Sequence, residues 1–99
     1  MPHWLIILTP SRPGMADKPT EEEQATVAEH FNYLRQALAS GRLVLAGRSI
    51  DNKPVGLVIF EAPDEAAARA FMEFDPAVRN GVMKAELKPY RIALMREDA

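Results

Sequence analysis

The sequence predicts an α+β fold, with one antiparallel sheet of four strands and two helices on one face. Apolar runs of strand length alternate with two segments of helical period, in the order strand, helix, strand, strand, helix, strand. The two most uniformly apolar runs, WLIIL at 4–8 and VGLVIF at 55–60, come first and third among the strands, the positions that this winding makes central. Ninety-nine residues at 47% hydrophobic content leave room for one core, so residues 1–99 are read as a single domain. Folding such a chain removes roughly 10,000 Å² from water, which is enough for a core but not a generous one.

WLIIL is apolar at every position, and both of its faces are expected to meet apolar partners. The stretch PSRPGMADKP at 10–19 carries three prolines and a glycine, and reads as a long loop. Thr20 opens a capping box with Glu23, and Glu21, Glu22 and Glu23 suit the positive end of a helix that runs to about Ser40, with Gly41 as its stop. At ~100° per residue, Val27, Phe31, Leu34 and Leu38 are expected to form the inward stripe, with His30 roughly 60° from its centre.

RLVLAGRS at 42–49 and VGLVIFE at 55–61 read as a hairpin turned by IDNKP. Asp64 caps a second helix, EAAARAFMEF, in which Ala67, Ala68, Phe71 and Phe74 share a face; Pro76 ends it by disfavouring helical geometry at Asp75. Residues 82–95 read as a last strand and its apolar tail, and Pro89 places that strand at an edge or a bulge. The order is the ferredoxin-like βαββαβ arrangement. Two helices cover one sheet face only, so the other is expected to pack on a second copy of the chain, giving a homodimer.

A formal net charge of −2, with 12 Lys and Arg scattered along the chain, offers no basic field for nucleic acid. The absence of cysteine excludes disulfides, thiolate metal sites and cysteine nucleophiles, and suits a reducing cytoplasm. MPHWLIILT has a five-residue apolar run and no basic leader, too short for an export signal or a membrane span. No metal site is expected from two histidines without ligand spacing, and no phosphate-cradling or dinucleotide fingerprint calls for a cofactor.

Asp75 falls where the second helix stops, and there a carboxylate faces the negative end of the helix dipole, a disadvantage of several tenths of a kcal/mol unless a donor or cation answers it. If the helix kept its rotation, Asp75 would lie roughly 40° from Phe71, toward the first helix and His30. A histidine beside a carboxylate is a usable unit, because the carboxylate fixes the tautomer and leaves the other ring nitrogen to give or take a proton. The plainer reading is a helix terminator and a border histidine that meet water.

Over nearly the whole chain the residues also resemble a family. EHFNYLRQALASGRLVLAG, VGLVIFEAPDEAAARAFMEFDPAVRNGV and AELKPYRIAL look like the YCII-related proteins, most specifically in His30 followed by Tyr33 and Leu34, Gly41 and Gly47 about a strand, Asp75 with Pro76, and Gly81. The resemblance implies a ferredoxin-like dimeric α+β barrel, with His30 and Asp75 as an active-site dyad. It also implies proton-transfer chemistry on small rings, since a related member removes HCl from a chlorinated hydroquinone and the fold resembles that of muconolactone isomerases. Two departures bear on the pocket and its substrate: Arg48 follows Gly47 where members often carry proline, and Ala77 stands where an aromatic often follows Asp-Pro.

Arg48 is a candidate anion binder, since guanidinium matches carboxylate geometry, though an arginine at a strand end is more often solvated. Ser49 beside it carries the same two readings. Arg12, in the long loop with Ser11, belongs to a lid over a pocket or to an ordinary surface loop. Tyr33, a helical turn from His30, either donates its hydroxyl to a substrate or only packs. Three functions remain open: a dimeric enzyme using His30 and Asp75 for elimination or isomerisation of a small hydroxylated ring or lactone, a noncatalytic ligand-binding or regulatory dimer, and a cofactor-free monooxygenase that shares only the fold class.

Overall fold

The computed structural model describes residues 1–97. Four strands, β1 (His3–Pro10), β2 (Leu43–Arg48), β3 (Gly56–Glu61) and β4 (Met83–Tyr90), form one antiparallel sheet in the order β2-β3-β1-β4. The first and third strands are central, as their uniform apolarity implies. Helices α1 (Glu21–Ala39) and α2 (Glu65–Glu73) lie on one face, and a further short helix, α3 (Pro76–Arg79), follows α2. No helix among the described residues is long and apolar enough to cross a membrane.

The alternation of side chains along each strand sorts the sheet into two faces. Trp4, Ile6 and Leu8 of β1 and Val58 and Phe60 of β3 are buried beneath the helices, where they meet Leu34, Ala37, Ala68, Phe71 and Met72. The opposite positions, Leu5, Ile7, Leu45, Leu57 and Ile59, lie on the uncovered face, bordered by Lys84, Glu86 and Lys88 of the edge strand β4. Pro89 lies in β4, where it costs no hydrogen bond to a further strand.

Three expectations fail. The inward stripe of α1 is not centred on Val27, Phe31 and Leu38, of which Phe31 and Leu38 are each 58% exposed; its buried residues are Thr26, Leu34 and Ala37, with His30 near the middle of that face. Ranking side chains by apolarity turned the helix by about 60°. Phe74 is likewise exposed, and Met72 takes its place inside. Last, residues 91–95 form no strand, since pairing with β1 ends at Tyr90 opposite His3.

Candidate active site

The end of α2 and the start of α3 create the surroundings of Asp75. Phe74 closes α2, and Asp75 follows with extended geometry, φ −62° and ψ 126°. Pro76 then occupies the first position of α3, where a missing N–H costs nothing and a fixed φ suits the helix. Asp75 is therefore the N-cap of a new helix as well as the residue after an old one, and its Oδ1 accepts the Ala77 N–H at 2.9 Å. Its main-chain carbonyl accepts from Val78 and Arg79, and Gly81, at φ +73°, ends the turn in a conformation that other residues rarely adopt.

Against this cap stands His30 of α1. Its Nδ1 lies 2.8 Å from Oδ1 and 2.7 Å from Oδ2 of Asp75, with both side chains largely buried. An ionised carboxylate only accepts, so beside one it is Nδ1 that must carry the proton, and a neutral ring then keeps its lone pair on Nε2. Nε2 has no hydrogen bond within the described residues, and since no fully buried side-chain nitrogen or oxygen there lacks a partner, Nε2 is not fully buried. The disfavoured carboxylate is thus answered twice, by an imidazole and by the positive end of α3.

Tyr33 stands one turn further along α1. Its hydroxyl donates to the Phe71 carbonyl at 2.7 Å, and its ring stacks on Phe71 with centroids 5.2 Å apart. Burial, and secondarily the charge of Asp75, raise the pKa of that hydroxyl, against the opposing influence of Arg42 and Arg79. Asn80 adds a second tie, its Nδ2 lying 3.4 Å from Oγ1 of the buried Thr26. The pair is consequently flanked by two ties from α1, one to α2 at Phe71 and one to the end of α3 at Asn80.

The remaining candidates sit elsewhere. Arg12 grips Glu23 with two bonds, Nε to Oε2 at 3.0 Å and Nη2 to Oε1 at 2.7 Å, and also donates to the Lys18 carbonyl. Glu23 completes the capping box on Thr20, so Arg12 fastens the β1–α1 loop to the start of α1. Ser49 closes the β2–β3 hairpin: its Oγ accepts the Val55 N–H and donates to Asp51, both at 2.9 Å. Arg48 lines a cleft of about 340 Å³ at the end of the sheet, which neither His30 nor Asp75 borders. Among the described residues no group of three His, Cys, Asp or Glu could hold a metal ion.

Sequence reasoning did not find α3, nor the role it gives Asp75, although Asp followed by Pro is a helix-start signal as much as a stop. Nor did it find the Thr26–Asn80 tie, which joins segments 54 residues apart.

The model of the YCII-related domain matches residues 4–91. No curated protein matches the chain. Among solved structures, that of 5-chloro-2-hydroxyhydroquinone dehydrochlorinase from Burkholderia phenoliruptrix AC1100, in complex with 2,5-dihydroxybenzoquinone, is similar, with a TM-score of 0.66 and 20% identity over 89% of this chain and 93% of that one. At that identity the likeness concerns the fold.

Proposed function

The chain belongs to the YCII-related family, and from that premise we propose that it is a small dimeric enzyme that moves a proton on a hydroxylated ring or lactone, in an elimination or an isomerisation. One observation carries the reading: His30 is held by Asp75 through Nδ1, while Nε2 makes no hydrogen bond among the described residues. That is the arrangement a general acid or base needs. Asp75 orients the ring and faces the positive charge that forms when Nε2 takes a proton.

In an elimination, the ring reacts as its keto tautomer, with the leaving group on a tetrahedral carbon; Nε2 takes a proton from an O–H or a neighbouring C–H, and the freed pair forms the new double bond. The leaving group, chloride in a dehydrochlorination, departs with its bonding pair, and Nε2 then returns its proton to water. An isomerisation instead gives that proton back at another ring atom. Neither step calls for an organic cofactor. The structurally similar dehydrochlorinase supports a small hydroxylated ring as the substrate class, and the cysteine-free sequence fits a reducing cytoplasm.

The uncovered sheet face supports the dimer. The chain exposes 6948 Å², against the roughly 5,600 Å² expected of a monomer of its mass. Packing two copies through Leu5, Ile7, Leu57 and Ile59 would remove an apolar surface that small monomers seldom leave open.

The test is chloride release from a chlorinated hydroxyhydroquinone and proton exchange on hydroxylated rings and lactones, by the wild type and by His30→Asn. A fall of about 10²–10⁴ in turnover with an intact fold is expected of the variant. Full activity in His30→Asn would refute the reading. A second reading rests on Asp75 Oδ1, which also holds the Ala77 N–H: the pair would be a noncatalytic clasp between α1 and α3 in a ligand-binding or regulatory dimer. It predicts lost stability in His30→Asn and no turnover by the wild type.

A further inference from the structure

At the end of the sheet away from the chain's first residues, the β1–α1 loop folds over a cleft of about 340 Å³, at the small end of the range for ligand sites. Leu8 and Met83 line its sheet side, Val27 of α1 forms a wall, and Met15, itself buried, reaches in from the loop. Gly56 lies beside Leu8, and a Cβ there would come within 3.3 Å of the Leu8 Cβ, so glycine leaves this part of the sheet uncrowded.

Two charged side chains border the cleft, and they differ in what already answers them. Glu23 is gripped by Arg12 at 2.7 and 3.0 Å and bonded to the Thr20 N–H. Those bonds, that of Arg12 foremost, hold its carboxyl at a pKa of about 2, so it remains ionised and matched by a cation. The Arg48 guanidinium has no hydrogen bond or ion pair among the described residues. Its register opposite Gly56, which pairs in turn with Leu8, aims it to the helix side of the sheet, and Pro54 and the Ser49-stapled hairpin fix the strand end that bears it. The cleft is thus apolar with one unmatched guanidinium at its rim.

We infer that this cleft binds a small carboxylate with an apolar body, such as a ring, with Arg48 as the group that selects the anion. Apolar burial of the ring supplies most of the affinity, because a guanidinium at a solvent-facing rim gains little from attraction alone. Selectivity comes from the fork of N–H donors, which meets a carboxylate through two parallel bonds and has no equivalent match in a neutral amide. Nothing in the inference requires His30 to be catalytic, since the cleft and the dyad share no residue.

The test uses the full chain, with benzoate and benzamide as probes of like shape and different charge, in calorimetric titration and methyl NMR. Benzoate should bind saturably, with shifts centred on Met15, Val27 and Met83, and benzamide about tenfold or more weakly. Arg48→Gln should bring benzoate down to the level of benzamide and leave benzamide unchanged. Lys53→Gln, which removes a hairpin cation outside the cleft, should change neither. The inference is overturned if benzoate does not saturate at millimolar concentration, if the probes bind equally, if Arg48→Gln keeps wild-type affinity, or if Lys53→Gln weakens benzoate as much. His30→Asn should bind benzoate normally, so loss of turnover and loss of this site are separate results.

Discussion

The Tyr33 hydroxyl completes the end of α2 by donating to the Phe71 carbonyl at 2.7 Å. The N–H that a continuing helix would offer that carbonyl belongs to Asp75, and it bonds Met72 at 3.3 Å instead. Phe71 packs on Phe60 with centroids 4.5 Å apart and lies under the Arg42 guanidinium, so the turn that presents Asp75 is fixed to the core. Tyr33→Phe leaves the rings in place and removes the donor. The variant should lose about 1–2 kcal/mol in urea unfolding, the cost of a half-buried acceptor left unmet. An unchanged midpoint would show that water replaces the hydroxyl.

Asp75 combines a cap with a charge, and two substitutions separate them. Asn is as good an N-cap as Asp, so Asp75→Asn should keep α3 while removing the anion beside His30. Asp75→Ala loses both, and should be about 1–2 kcal/mol less stable than Asp75→Asn. Denaturant titration of the two, beside turnover by Asp75→Asn, tests the division. Equal stability would mean the cap contributes nothing.

Glu23 makes stability depend on acid. Its pKa is about 2 in the folded chain against 4.5 for the free side chain, through the Arg12 bonds first and the Thr20 N–H second. A carboxylate lowered in this way stabilises the fold fully above pH 4.5, and the contribution fades as pH falls toward 2. Unfolding midpoints of wild type and Glu23→Gln should therefore converge across that window, and do so from a smaller gap in high salt. Parallel curves would contradict the assignment.

Leu57 lies on the uncovered sheet face and is 45% exposed in the single chain. In a dimer packed through that face, Leu57→Lys would bury an unpaired charge, so it should dissociate the dimer. Sedimentation of the wild type should give twice the 11.0 kDa chain mass, and of the variant one chain. A monomeric wild type would remove the basis for the sheet-to-sheet assembly.

Much of this architecture is legible in the sequence because strands announce themselves by composition. WLIIL and VGLVIF form the two central strands, each burying alternate residues, and Thr20 with Glu23 starts α1 where the capping box puts it. The rotation of α1 is not legible in the same way. Its buried face carries Thr26, His30 and Ala37, while Phe31 and Leu38 face out, so apolarity points away from the core. Polar residues on the covered face and apolar ones on the uncovered face cause the same error together. Asp75 was visible as an anomaly, but α3, which gives it a second helix to cap, spans four residues, too few to show a period. The tie from Tyr33 to Phe71 crosses 38 residues and leaves no local trace.

The tautomer of His30 tests the central claim most directly. Long-range proton–nitrogen NMR of the neutral ring should show the proton on Nδ1, facing Asp75, and a bare Nε2. A neutral His30 that carries its proton on Nε2 would contradict the account, because Nδ1 would then have nothing to donate to the carboxylate and Nε2 no lone pair with which to take a proton.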